Sequence, residues 1–253
     1  MARQARRHSD TGIYHIMLRG IDKRLIFMDD DDKKKFMAGL EKVKESAYFK
    51  LYAYCLMDNH IHLLLEENEA LGTIVKRITV GYVQWHNNKY ERTGHLFSNR
   101  YQSEPVESEN YLFTALRYIH QNPVKAGMVK QAEDYPWSSY YDYIKAYNKD
   151  DTLVEPGFIL DYFGTQDNFV SFMNESNNDE CMEYKAVLKY TDTQLRAWIE
   201  NRYSIEAILA LPAISRIKQI IEIYNETGSS IRQLSRVLGM GRSIVGKAVK
   251  ADR

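Results

Sequence analysis

The segment that most constrains the fold runs from Leu51 to Leu65, where the turn Met57-Asp58-Asn59 separates two apolar stretches. Side chains in a β-strand alternate between the two faces of a sheet. His60 and His62 therefore share one face, about 7 Å apart at ~3.3 Å per residue. Ile61, Leu63 and Leu65 share the other face. The pattern predicts two successive strands, the second with one apolar face and one face that carries two imidazoles.

Similar patterns recur over the first 150 residues. Ile13–Leu18 and Tyr101–Val106 predict two more strands. The run Asp29–Asp32 predicts the start of a helix, because carboxylates favour the positive end of the helix dipole. Leu71–Trp85 carries an apolar stripe with a period of about 3.6 residues, which predicts another helix. Four short strands interleaved with helices predict an α+β fold in which helices pack on one antiparallel sheet.

Composition divides the chain into three regions. Residues 1–146 carry the α+β pattern, residues 147–190 are polar and acidic, and residues 191–253 are helical in pattern. A polar and acidic stretch has little apolar surface to bury. We therefore expect a folded domain over 1–146, a linker or loosely structured connection over 147–190, and a helical domain over 191–253.

The charge of the chain is zero in sum but uneven along its length. The totals are 34 basic and 34 acidic residues, which exclude a strongly basic chromatin-type protein and an acidic tail protein. Three segments are basic: residues 1–28 with six basic and two acidic side chains, 70–102 with five and one, and 202–253 with nine and four. Nucleic-acid recognition depends on where charge lies rather than on its sum, so these segments are compatible with a nucleic-acid partner.

Cysteine usage and hydropathy indicate the compartment. Cys55 and Cys181 are the only cysteines and lie far apart in the sequence, which favours free thiols in a reducing cytosol over a disulfide framework. No stretch approaches about 18 consecutive apolar residues, and no apolar signal core follows the basic start. We therefore expect a cytoplasmic protein that does not interact with membranes.

The two histidines on one sheet face predict a metal site. A pair of imidazoles can chelate a divalent cation, but a third protein ligand and open positions for phosphate oxygens are still needed. The alternative is a structural or solvent-exposed pair of histidines that binds nothing.

A helix predicted from Tyr111 to about Gln121, and stopped by Pro123, offers the remaining groups. Tyr118 lies off the apolar stripe of this helix, and Asn122 follows four residues later on the same face. A phenol has a pKa near ~10, so it needs help from a base or a metal to act as a nucleophile. The alternative is that Tyr118, one of 19 tyrosines, is a half-buried residue at the edge of the helix.

The last residues have a pattern typical of a helix-turn-helix. Ser229 or Ser230 can cap a helix, Gly239 allows a tight turn, and Arg242–Lys250 predicts a short final helix. The residues expected to point outward from that helix are Arg242, Ser243, Lys247 and Lys250. A basic helix after a glycine turn suits the major groove of DNA. The alternative is a plain three-helix bundle with a solvated basic face.

Taken together, the motifs resemble the HUH-type single-tyrosine transposases, specifically the REP-associated tyrosine transposase group. The segments that carry the resemblance are Gly12-Ile13-Tyr14-His15-Ile16 with Arg19-Gly20, Ile26-Phe27, Ala53 to Leu64, Gly94-His95-Leu96-Phe97 with Arg100-Tyr101, Arg117 to Gly127, and Tyr135-Pro136-Trp137-Ser138-Ser139-Tyr140. Short members of the wider family end soon after the tyrosine helix, so the C-terminal helix-turn-helix is a departure from them.

The resemblance implies a ferredoxin-like core whose sheet carries the histidine pair, with His60 and His62 binding Mg²⁺ or Mn²⁺. It implies that Tyr118 attacks single-stranded DNA beside a hairpin, giving a 5′-phosphotyrosyl enzyme and a free 3′-hydroxyl. Another 3′-hydroxyl would then rejoin the DNA without ATP. A nucleoid-associated protein is expected. Some relatives act as dimers that exchange the tyrosine helix between subunits, but this chain carries a long C-terminal extension, so the sequence leaves both a homodimer and a monomer open.

The third metal ligand is less closely defined than the histidine pair. The i+4 position of Asn122 relative to Tyr118 favours Asn122 under this resemblance. Asn122 precedes Pro123, which disfavours helical geometry there, and Asp58, His120 and Gln121 are nearby competitors.

The basic segments supply candidate contacts to the DNA backbone. Those of the first two segments are Arg3, Arg6, Arg7, Arg19, Lys23, Arg24, Lys76, Arg77, Arg92 and Arg100. The alternative for each is a solvated surface charge.

Two other classes of function fit parts of the pattern. A domesticated, non-catalytic regulator would bind DNA without metal and cleave no strand. A metal hydrolase that uses water would cleave without Tyr118. The presence of the whole set His60, His62, Tyr118 and Asn122 favours the transposase, because a regulator does not need it.

Overall fold

Strand β1 (Ile13–Arg19) lies inside a four-stranded antiparallel sheet of order β2-β3-β1-β4. The other strands are β2 (Lys50–Met57), β3 (His60–Glu66) and β4 (Gln102–Pro105). All four predicted strands are confirmed, with small differences at their ends. The computed structural model describes residues 6–98, 100–176, 179, 181, 192–227 and 229–250.

The helices complete a familiar topology. The α-helices of the described residues are α1 (Asp30–Ala47), α2 (Leu71–Lys89), α3 (Glu109–Lys125), α4 (Tyr140–Tyr147), α5 (Gly157–Phe163), α6 (Gln166–Asn174), α7 (Asp192–Glu200), α8 (Ile205–Ala210), α9 (Ala213–Thr227), α10 (Ile231–Leu238) and α11 (Arg242–Lys250). The order β1-α1-β2-β3-α2-β4, with that strand order, is the ferredoxin-like arrangement. The predicted α+β core is therefore confirmed.

Each face of the sheet has its own layer of helices. Side chains of β1 and β3 that alternate with the histidines, such as Leu18 and Leu63, are buried on the face covered by α1 and α2. His15 and His62 point to the opposite face, where α3 packs. The period of two along each strand thus sends apolar side chains to one layer and the imidazoles to the other.

The acidic run begins α1 as predicted. The Asp29 carboxylate accepts a hydrogen bond from the backbone N–H of Asp32 (3.0 Å), and the Asp32 carboxylate accepts one from the backbone N–H of Asp29 (3.3 Å). Such a reciprocal cap satisfies two of the N–H groups left unpaired at a helix start. Lys89 at the end of α2 pairs with both carboxylates at 2.7 to 2.8 Å, so this cap also joins α1 to α2.

The predicted end of the tyrosine helix is wrong. Pro123 lies inside α3, which continues to Lys125. A proline in a helix removes one backbone donor, and two residues before the end of α3 the loss is small. Asn122 accepts a hydrogen bond from the backbone N–H of Ala126 (2.9 Å) and so lies within the helix.

The predicted acidic linker is also corrected over part of its length. Residues 157–174 form α5 and α6, and Phe163, Phe169 and Met173 are buried in the core that includes α3. The two helices are too short to show a clear apolar period, and the acidic composition around them is typical of a linker. The sequence pattern therefore did not predict these buried side chains. The first compact unit accordingly extends over residues 1–183 rather than ending at 146.

The second compact unit, residues 184–253, has a core of its own. Ser230 caps α10, its hydroxyl accepting from the backbone N–H of Gln233 (3.2 Å), and Gly239 follows with φ of +66°. Arg242, Ser243 and Lys247 are exposed on α11, as predicted. The Lys250 side chain, a predicted DNA contact, lies outside the described residues.

Both cysteines are free thiols, as predicted. Burial raises the pKa of Cys181 to about 12 and that of Cys55 further still, so both are protonated at neutral pH. Among the described residues, no helix combines the length and the apolar character that crossing a bilayer requires.

The turn that follows β1 is tightly packed around Gly20. Its N–H donates to the Asn59 carbonyl at 2.9 Å, and a Cβ there would lie 2.1 Å from the Arg24 carbonyl oxygen. We expect Gly20→Ala to lower the free energy of unfolding by about 1–3 kcal/mol, measured by urea denaturation. Gly39→Ala in α1, where nothing lies within 4 Å of the added Cβ, should raise it by up to about 1 kcal/mol. Equal stability of Gly20→Ala and wild type would contradict this packing.

Candidate active site

Three histidines gather on the sheet face beneath α3. His60 and His62 share this face of β3, with ring centroids 5.0 Å apart, as the alternation predicted. The antiparallel register pairs Met17 with His62, which places His15 of β1 diagonally beside His62. His15 Nε2 lies 2.9 Å from His62 Nδ1. The sequence reasoning did not include His15, because strand register is not readable from one strand alone.

Helix α3 places Asn122 between the two predicted ligands. Asn122 Oδ1 lies 3.2 Å from His60 Nε2, and Asn122 Nδ2 lies 3.3 Å from His62 Nε2. On its other side, His60 Nδ1 lies 2.6 Å from Asn59 Oδ1. The Nε2 atoms of both rings therefore converge on one amide group.

Tyr118 packs against the same imidazoles. Its ring centroid lies 5.7 Å from that of His62 and 5.9 Å from that of His15, in edge-on geometry. The Lys125 ammonium, seven residues along α3, lies 4.9 Å from the Tyr118 ring centroid. The structure thus brings together all four residues predicted for catalysis and metal binding.

Burial keeps the imidazoles neutral. Desolvation lowers the pKa of His15 to about 3. It also lowers the pKa of His62, which the adjacent His15 and His60 lower further. The pKa of His60 is lowered chiefly by burial and also by the charge of Arg19, its cross-strand partner. A neutral imidazole has a free lone pair, which ligation of a metal requires.

These donors fit a small divalent cation. Two ligands about 2.1 Å from one ion and at right angles to each other are about 3.0 Å apart, close to the 3.2 Å between Asn122 Oδ1 and His60 Nε2. Imidazole nitrogen and amide oxygen are both ligands that Mn²⁺ accepts. Among the described residues, no group of three or more His, Cys, Asp or Glu side chains is placed to hold a metal.

The other candidates for the third ligand are engaged elsewhere. The Asp58 carboxylate pairs with Lys33 at 3.1 Å. His120 is fully buried, with its Nε2 atom 2.8 Å from Ser139 Oγ. The Gln121 amide donates to the carbonyls of Met173 and Glu175. Asn122, by contrast, contacts both histidines.

An ion-pair cluster holds the outer side of α3. Arg117 Nε and Nη2 donate to the Asp179 carboxylate at 2.7 and 3.0 Å, and Nη1 donates to Glu175 at 2.8 Å. The Arg117 side chain is only 11% exposed, so these bonds hold a largely buried charge. They hold the residue next to Tyr118 in place. No local pattern predicts these ion pairs, because both acids lie in the predicted linker.

Three of the predicted DNA contacts line one groove. Arg6, Lys76 and Arg100 border a cavity of about 250 Å³ together with Phe97 and Tyr101. The Arg6 guanidinium lies 3.6 Å from the Tyr101 ring centroid. A second cavity of about 530 Å³ adjoins it and shares Phe97. The groove runs along α2 and thus lies across the sheet from Tyr118.

The other predicted DNA contacts are scattered. Arg7, Lys23 and Arg24 are exposed, Arg19 lies beside His60, and Arg77 pairs with Glu69 at 2.7 Å. Arg3 lies outside the described residues.

Known proteins match this chain in sequence and in structure. The IS200-like transposase family matches residues 9–122. A curated protein of Haemophilus influenzae, named as a REP-associated tyrosine transposase, is 25% identical over 159 residues, covering 58% of this chain and 89% of the relative. A solved structure of a REP-associated tyrosine transposase bound to a REP hairpin matches with a TM-score of 0.53 and 14% identity, covering 72% of this chain and 96% of that chain. At that identity the structural likeness shows a shared fold.

The buried histidines make stability depend on pH. Burial lowers the pKa of His120 to about 3 in the folded protein, against 6.5 in the unfolded chain. Below pH 6.5 the unfolded state therefore binds a proton that the native state does not. The free energy of unfolding then decreases as the pH is lowered, by about 2 kcal/mol between neutral pH and pH 5 for one such histidine.

We expect His120→Phe to remove the part of the pH dependence of stability that His120 causes. Its destabilisation relative to wild type, measured by guanidinium unfolding with a chelator present, should shrink by about 2 kcal/mol between pH 7.5 and pH 5. His95→Gln, at an exposed position, is the control. A constant difference for His120→Phe would show that His120 is charged in the native state.

Proposed function

We propose that the chain, whose residues 9–122 match the IS200-like transposase family, cleaves and rejoins single-stranded DNA beside hairpins. The reaction is a pair of transesterifications with Tyr118 as nucleophile and a divalent metal, Mg²⁺ or Mn²⁺, at His60, His62 and Asn122. The observation that carries the proposal is the convergence of both Nε2 atoms on the Asn122 amide, with Tyr118 packed on the same rings.

The chemistry of each step balances within the DNA and the tyrosine. The Tyr118 hydroxyl oxygen attacks the phosphorus, forming an O–P bond as the bond from phosphorus to the 3′-oxygen breaks. The phenol loses its proton and the 3′-oxygen gains one, which leaves a 5′-phosphotyrosine and a 3′-hydroxyl. In the second step another 3′-hydroxyl attacks the phosphotyrosine, restores a phosphodiester and releases the phenol.

The other residues near the site orient the metal ligands and hold α3 in place. A divalent ion bound here would polarise the scissile phosphate and stabilise the charge that develops on it. Asn59 contacts the far nitrogen of His60 and so sets the direction of its Nε2 atom. Arg117, through Asp179 and Glu175, fixes the turn of α3 that carries Tyr118.

The covalent adduct tests this function. We expect a single-stranded hairpin oligonucleotide with Mn²⁺ to yield a protein–DNA adduct that survives denaturing electrophoresis. Tyr118→Phe should abolish the adduct and keep DNA binding, because only the attacking oxygen is lost. Tyr111→Phe removes a hydroxyl from the same helix, one that contacts Glu104, and should form the adduct normally.

The same assay distinguishes the other classes of function. Cleavage that persists in Tyr118→Phe would identify a hydrolase that uses water. Sequence-selective binding without cleavage, with or without metal, would identify a non-catalytic regulator. An adduct that persists in Tyr118→Phe would overturn the assignment of the nucleophile.

We assign two different DNA surfaces to the two compact units. The groove of Arg6, Lys76 and Arg100 combines cations with the aromatic rings of Phe97 and Tyr101, which suits the backbone and unpaired bases of single strands. In the second unit, α10 and α11 with the Gly239 turn form a helix-turn-helix for duplex DNA, with the exposed residues Arg242, Ser243 and Lys247 toward the groove. A homodimer and association with nucleoid DNA remain predictions.

Paired charge reversals separate these surfaces. Lys76→Glu with Arg100→Glu should weaken binding of the single-stranded hairpin, and should reduce the dependence of affinity on salt by about one unit of slope per lost phosphate contact. Arg242→Glu with Lys247→Glu should instead weaken binding of duplex DNA. Each pair is the control for the other, with affinities measured by fluorescence anisotropy at several salt concentrations. Equal loss on both DNAs from either pair would contradict the division.

A further inference from the structure

His15 is a buried polar residue that the proposed reaction does not require as a ligand or nucleophile. It lies on β1, is fully buried, and its Nε2 atom is 2.9 Å from Nδ1 of His62. Its other ring nitrogen, Nδ1, has no hydrogen-bond partner in the described part of the chain. Buried polar groups are nearly always hydrogen-bonded, so a residue that leaves one nitrogen unpaired in a core needs a reason for its presence.

The bonds on the two sides of His62 define its protonation. Asn122 Nδ2 donates to His62 Nε2 at 3.3 Å, so Nε2 is the nitrogen without a proton. The proton of the neutral ring is then on Nδ1, where it is donated to Nε2 of His15. Since the two nitrogens of an imidazole have opposite roles, the bond that one makes decides what the other can do.

We propose that His15 is a positioning residue that accepts the Nδ1–H of His62 and thereby presents the Nε2 lone pair of His62 to the metal. The inference rests on the proposed function, because a ligand needs that lone pair only if a cation binds there. A hydrogen bond from the far nitrogen of a ligating histidine commonly fixes both its tautomer and its ring orientation. Here the acceptor is a third histidine, where a carboxylate or a carbonyl is usual.

The packing around His15 supports this role. Its ring lies 5.1 Å from that of His62 and 5.9 Å from that of Tyr118, so one side chain contacts both a ligand and the nucleophile. An apolar residue of the same size would fill the space equally well and leave no nitrogen unpaired. What it would lack is the acceptor for His62, and this is the property that the structure assigns to His15.

The tautomer of His62 tests the inference without any metal. Long-range ¹⁵N–¹H NMR of the metal-free protein, with its seven histidines assigned by substitution, should show His62 protonated on Nδ1. In His15→Phe that preference should be lost. Wild-type protein with His62 protonated on Nε2 would overturn the proposal.

The affinity of the protein for Mn²⁺ tests whether His15 helps His62 to bind the metal. Titration calorimetry with Mn²⁺ should show binding about 10- to 100-fold weaker in His15→Phe than in wild type. His15→Gln, whose amide oxygen can replace Nε2 as acceptor, should recover part of the affinity. His86→Phe is the matched control, since His86 is also fully buried but lies on α2 away from the site, and its affinity should equal that of wild type.

The outcomes separate the two ideas. Equal Mn²⁺ affinity of His15→Phe and His86→Phe would overturn the positioning role, provided that both variants unfold at similar temperatures. If His15→Phe fails to fold, His15→Gln and the wild-type tautomer still decide the question. If the wild-type protein and His60→Ala bind Mn²⁺ equally, or neither binds it, the metal part of the proposed function is wrong. The NMR result alone then decides the role of His15.

Discussion

The seating of α3 on the histidine face of the sheet is the constraint on which the site depends. Inside the core, His120 of α3 contacts Ser139, which exchanges hydrogen bonds with the backbone of Tyr54 on β2. On the outer side, Arg117 binds Glu175 and Asp179. A buried polar network of this kind rigidifies what it joins when all its members are satisfied. With α3 held from both sides, an amide and a phenol one turn apart reach the imidazoles of the sheet.

Much of this arrangement follows from local pattern. The strand alternation placed His60 and His62 on one face, the acidic run marked the start of α1, and the four-residue spacing put Tyr118 and Asn122 on one side of a helix. These features depend on the period of side chains along a strand or helix and on helix-capping residues, all of which a short stretch of sequence contains. The family resemblance added the ferredoxin-like topology, which a strand count alone does not determine.

The features that the sequence did not reveal are those that depend on distant residues. His15 joins the site only through the register of β1 on β3. The Arg117 cluster needs acids that lie about sixty residues further along the chain, and α5 and α6 fold because their few aromatic residues meet those of α3 and α4. Pro123 does not end α3, since the cost of a proline depends on how much helix follows it. In each case tertiary contact outweighed local preference.

The position of a bound ion tests the central claim most directly. Crystals soaked in Mn²⁺ and measured at the manganese absorption edge should show one strong anomalous peak between β3 and α3. The account predicts that this peak lies about 2.0–2.3 Å from Nε2 of His60, Nε2 of His62 and Oδ1 of Asn122. A peak that lies elsewhere, or no peak at this site under saturating Mn²⁺, would contradict it.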